Sequence, residues 1–98
     1  MIDFLEEKDY DILFEWINKD CLGLVDPLRG TVSINIELLL AETLIHEALH
    51  VKYPDWTEDA IEAKTIARIR SMKAGRVRKL GRELMRRYLV QKAGEFKR

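Results

Sequence analysis

His46 and His50 stand four residues apart with Glu47 directly after the first, in the run His46-Glu47-Ala48-Leu49-His50. On a helix, residues at this spacing lie one above the other on a single face. Both imidazoles can therefore reach one metal ion while Glu47 projects beside it. This HExxH spacing suits zinc, with the glutamate as the general base that takes a proton from water. The chain has only 2 histidines and both are in the motif. Scattered at random over 98 positions, they and the 10 glutamates would make this arrangement about twice in a thousand, so two unrelated surface histidines are the weaker reading.

A catalytic zinc takes three protein ligands and keeps a fourth position open. No third histidine exists, so an acid must complete the set. Pro54 disfavours helical geometry at Tyr53 and ends the motif helix, and Thr57 can cap a further helix over residues 58–73. The short connection turns the start of that helix back toward His50. Glu58 is the favoured third ligand and Glu62 the alternative, the loser being left to orient a histidine ring. Acids are also common in a first helical turn, where the helix dipole favours them without any metal. Ser33, Ser71 and Cys21 are not competing nucleophiles, because both histidines are engaged. Tyr53, Tyr88 or an arginine is left as donor to a developing oxyanion.

The motif needs a helix to carry it. Asn35 is a suitable N-cap for residues 36–52, and Leu38, Leu39, Leu40, Ala41, Leu44 and Ile45 make that helix apolar nearly all round, as expected at the centre of a small domain. Before it, residues 23–26 and the alternating run 31–35 flank Pro27-Leu28-Arg29-Gly30, which reads as a hairpin. The second strand is expected to offer an open edge to which an extended peptide can add. Residues 9–18 read as a first helix, with a strand through residues 12–17 as the alternative. Gly75 breaks the pattern again, and a basic helix follows over residues 76–92, with Val77, Leu80, Leu84 and Tyr88 as its apolar stripe and residues 93–98 fraying. The fold class is α+β: a short hairpin packed on a central HExxH helix, then a glutamate-bearing helix and a basic C-terminal helix.

Ninety-eight residues make one domain with a modest core, which a metal ion or a second chain would reinforce. The contents of 47% apolar and 35% charged residues exclude a disordered chain, and the lone Cys21 excludes an intramolecular disulfide and reads as a small buried residue. No apolar run approaches ~18 residues and no signal peptide is evident, which points to the cytoplasm and away from a membrane. The zero net charge hides a division: residues 1–63 carry 15 acids and 4 bases, residues 64–98 carry 13 bases and 2 acids. The two parts should attract each other. The basic helix then reads as a solvated face, as a segment docked over the acidic cleft, or as a surface for nucleic acid or another anionic partner.

Residues 23–62, with the hairpin, the HEALH helix, Pro54 and Glu58, resemble the minigluzincins, small zinc metallopeptidase scaffolds related to the catalytic domains of integral-membrane gluzincin peptidases. The resemblance implies a zincin-like fold, zinc on His46, His50 and a glutamate of the next helix, Glu47 as general base and acid, and a peptide or protein substrate. It also implies a latent zymogen in which the segment 76–98 lies over the cleft of a scaffold formed by residues 1–75. The spacing to the glutamate is shorter than in the longer gluzincins. The alternative is a non-catalytic module, stabilised by zinc, that binds nucleic acid or an acidic partner through its basic helix.

Overall fold

The structure, a computed structural model, describes residues 10–96. Its elements in chain order are β1 (Asp11–Phe14), β2 (Gly23–Asp26), β3 (Thr31–Ile34), α1 (Ile36–Lys52), α2 (Glu58–Ser71) and α3 (Ala74–Phe96). A three-stranded sheet and three helices make a small α+β domain, the expected class.

The hairpin forms where proline and glycine put it. Gly30 closes the turn at φ +66°, a left-handed value that a Cβ would strain, and the Arg29 N–H donates to the Asp26 carboxylate at 3.3 Å. β2 and β3 pair antiparallel with Val25 opposite Val32. The expected first helix is corrected: Asp11–Phe14 is a strand, parallel to β3 with Ile12 opposite Val32, and Asp9 lies outside the described residues. A short run rich in β-branched and aromatic side chains gains more from a ladder partner than from a few helical turns. The sheet order is therefore β1-β3-β2, which corrects a second expectation. β3 is central and paired on both sides, so it has no open edge for a peptide to join.

Asn35 ties sheet to helix and is fully buried. Its side-chain oxygen accepts from the Leu38 N–H at 3.3 Å, capping α1, while its amide nitrogen donates to the carbonyls of Asn18 at 2.8 Å and Cys21 at 3.1 Å. Its own N–H donates to the Leu22 carbonyl at 2.8 Å. One side chain thus fixes where the strand ends, where the helix starts and how the 18–22 loop lies across the junction.

The core is small. Leu38 and Ala41 of α1 pack with Ile69 of α2 and Val77 of α3, flanked by Trp16, Ile45, Met72 and Leu80. The central helix is less enclosed than its composition suggests, since Leu39, Leu44 and Val51 remain 44%, 41% and 84% exposed. α3 begins at Ala74 and runs to Phe96, so Gly75 sits in its first turn and residues 93–96 continue the helix. The break falls instead at Met72, which has extended backbone and donates its N–H to the Ile69 carbonyl. Lys97 and Arg98 lie outside the described residues.

The attraction between the acidic and basic parts of the chain is realised at Glu37. Arg78 and Arg82 of α3 donate to its carboxylate at 3.0 and 3.3 Å. Gly81 of α3 lies against the Glu37 backbone, where a built Cβ would come within 2.1 Å of the carbonyl oxygen. α3 therefore rests closely on the face of α1 that carries Glu37, Ala41 and Ile45.

Candidate metal centre

His46 and His50 occupy successive turns of α1, and their Nε2 atoms face each other at 3.1 Å with the rings inclined by 65°. The third partner arrives through the α1–α2 connection. The Tyr53 N–H donates to the Leu49 carbonyl at 2.8 Å to close α1, and the Trp56 N–H donates back to the Tyr53 carbonyl at 3.1 Å. The two aromatic rings stack at 4.0 Å, nearly parallel. Thr57 then caps α2 by accepting from the Ala60 N–H at 3.2 Å. This tight reversal makes Glu58, the first residue of α2, face the imidazoles.

The Glu58 carboxylate spans both rings. Oε1 lies 2.5 Å from His46 Nε2 and Oε2 lies 3.0 Å from His50 Nε2. One ligand atom from each of the three residues falls within a 4.8 Å group. Separations of 2.5, 3.0 and 3.1 Å place the three side chains around one point. His46, His50 and Glu58 can hold a metal ion. The group lies near the surface, with the Glu58 side chain 63% exposed.

Of the two acids that spacing allowed as third ligand, Glu58 joins the histidines and Glu62 does not. Nor does Glu62 orient a ring; it makes no hydrogen bond or ion pair among the described residues. It lies one turn further along α2, and with Glu42, Thr43, His46 and Glu47 it borders a pocket of about 430 Å³ beside the metal site. Glu47 is exposed at the pocket's edge and makes no hydrogen bond or ion pair among the described residues. Burial first, and the charge of Glu62 second, hold the Glu42 carboxyl above its ordinary range.

Glu42 was missed by motif reading although its signal was available. Residues 42, 46 and 50 follow at intervals of four and so share a face, opposite the stripe of Glu58 and Glu62 on α2, which returns antiparallel. Ser33 is engaged elsewhere, its hydroxyl donating to Glu15 at 2.6 Å. The Cys21 thiol, half-buried, donates to the Gly23 carbonyl at 3.1 Å. Tyr88 lies on α3, 53% exposed and away from the pocket; Tyr53 is held in its stack with Trp56.

The expected covering of the cleft by residues 76–98 is not the arrangement the described residues adopt. α3 packs on Glu37 and Ala41, and at about 100° per residue His46 lies roughly 140–180° around the helix from both. Among the described residues none of α3 borders the pocket. Val77 and Leu80 join the core formed by α1 and α2, so α3 belongs to the scaffold. Among the described residues no helix is long and apolar enough to cross a membrane. Comparison with protein-family models, with curated proteins and with solved structures finds no match to this chain.

Proposed function

We propose that this chain is a zinc-dependent metallopeptidase, with His46, His50 and Glu58 as the metal ligands and Glu47 as the general base. The observation that carries the reading is the convergence of two imidazole nitrogens and one carboxylate on a single point, beside a pocket bordered by Glu47. The donor set suits zinc: two imidazole nitrogens and one carboxylate, a set that leaves a position for water or substrate. The resemblance of residues 23–62 to the minigluzincins supports the same reading.

Zinc, when bound, supplies a Lewis acid that polarises a peptide carbonyl and lowers the pKa of water. Glu47 follows His46 directly, so its carboxylate stands beside the ligands without joining them. It accepts a proton from the attacking water and hands that proton to the departing amine nitrogen as the C–N bond breaks. The water oxygen ends on the carbonyl carbon, and no covalent link to the protein forms. The pocket, open to solvent, admits a peptide to this edge of α1.

Glu47→Gln tests the assignment. Hydrolysis of a peptide should fall by at least about a hundredfold while zinc content stays unchanged. Cleavage persisting near the wild-type rate in the zinc-loaded variant would remove Glu47 from the chemistry.

An anionic partner on the basic surface is the second reading. Arg78 and Arg82 are engaged by Glu37, and Arg86 and Arg87 by Glu83. What favours it is the remainder: Arg68, Lys73 and Arg76, without ion pairs among the described residues, border a pocket of about 480 Å³ where α2 meets α3. Binding of RNA at low salt that weakens as salt rises is the expected sign; no binding at low salt rejects it.

A further inference from the structure

We infer that the pocket beside the metal ligands receives a lysine or arginine side chain of the peptide substrate, held by Glu42 and Glu62. The inference rests on the peptidase reading and adds the substrate class to it. The pocket continues the groove between α1 and α2 by one helical turn beyond the ligands, because Glu42 precedes His46 by four residues and Glu62 follows Glu58 by four. A side chain next to the scissile bond would enter it. At about 430 Å³ it has room for a long one.

Its lining combines apolar wall with carboxylate, the two surfaces that suit a long alkyl cation. Leu22, Leu39 and Ile66 offer apolar wall, and Glu42 and Glu62 bring carboxylates that make no hydrogen bond or ion pair among the described residues. The Lys19 ammonium, on the neighbouring pocket that also reaches Glu42, is already spent on the carbonyls of Arg70 at 2.7 Å and Met72 at 2.9 Å. Glu42 and Glu62 are near enough for their charges to oppose each other, and Glu42 is partly withdrawn from water. An unbalanced negative pair flanked by apolar wall is the complement of an alkyl cation. A glutamate or aspartate side chain would meet repulsion there.

The test uses the full zinc-loaded chain. In the binding arm, the Glu47→Gln variant is titrated by calorimetry with three peptides that differ at one position, lysine, norleucine or glutamate, placed in turn at each site along the sequence. At the productive position lysine should bind about fivefold more tightly than norleucine, as two partly exposed ion pairs allow, and glutamate more weakly than either. The Glu42→Gln/Glu62→Gln double variant, which removes a repulsion and so should fold, must erase the difference. In the cleavage arm, the wild-type chain should cut next to lysine or arginine, and the double variant should lose that preference.

Equal binding of lysine and norleucine at every position in low salt overturns the inference, as does cleavage without regard to basic residues. A lysine preference in binding that depends on Glu42 and Glu62, with no cleavage by the wild-type chain, upholds the pocket and defeats the peptidase reading instead.

Discussion

Gly81→Ala reports directly on how α3 sits against α1. The added methyl would lie 2.1 Å from the Glu37 carbonyl oxygen and 2.6 Å from its carbonyl carbon and Cα. All three atoms are helix backbone, which cannot rotate away, so the helices must part by roughly 1 Å at a close-packed crossing. Overpacking of this kind costs about 1–3 kcal/mol, and an overlap this deep with backbone belongs at the upper end. Parting the helices also draws Val77 and Leu80 from Leu38 and Ala41 and lengthens the bonds from Arg78 and Arg82 to Glu37. Against this, alanine is favoured over glycine inside a helix by about 1 kcal/mol. The clash wins, leaving a net loss of about 2 kcal/mol and lowering Tm by roughly 10 °C for a chain of this size. Gly75 and Gly94 of the same helix have nothing within 4 Å of a built Cβ. Gly75→Ala and Gly94→Ala should therefore be neutral or stabilising by up to about 1 kcal/mol. Urea unfolding followed by circular dichroism on all three variants gives the comparison. A Gly81→Ala protein as stable as the other two would mean that α3 does not approach α1 as described.

Two further outcomes follow from the same packing. Asn35→Ala removes the α1 cap and leaves the Asn18 and Cys21 carbonyls without their side-chain donor, a loss of about 3 kcal/mol from one cap and two hydrogen bonds. A urea midpoint corresponding to less than about 1 kcal/mol would show that the sheet–helix junction is held by something else. Glu42 has its carboxyl raised by burial and then by Glu62, so the native chain holds that proton more readily than the unfolded one. Stability then falls as pH climbs from the ordinary value of 4.5 through the raised one. Glu42→Gln should be more stable than wild type at pH 7 and lose that advantage below pH about 4, and an equal difference at both pH values would contradict the assigned cause.

The parts of this protein that were legible in its sequence are those set by short spacing. Four residues between His46 and His50 give one helical face, and Pro54 and Thr57 mark the reversal that brings Glu58 back to it. Pro27 and Gly30 likewise announce the hairpin. What sequence did not disclose depends on partners far along the chain. Residues 11–14 suit either a helix turn or a strand by composition, and the choice is made by β3, some 20 residues later and in parallel register. The position of α3 turns on one glycine against one backbone carbonyl, so its stripe of arginines suggested a surface for a ligand where Glu37 in fact neutralises two of them. A glycine inside an otherwise strong helical run was the available sign, since Gly81 costs helix stability unless something must come close. Period four places Glu62 near the ligands as well; only the turn geometry at Tyr53 and Trp56 separates it from Glu58.

Zinc content after equilibrium dialysis tests the central claim most directly, measured on the wild-type chain and on His46→Ala, His50→Ala and Glu58→Ala with circular dichroism confirming that each remains folded. The wild-type chain should hold one zinc, either histidine variant none, and Glu58→Ala should retain it more weakly. A wild-type chain that binds no zinc, or a full equivalent kept after loss of either imidazole, would contradict it.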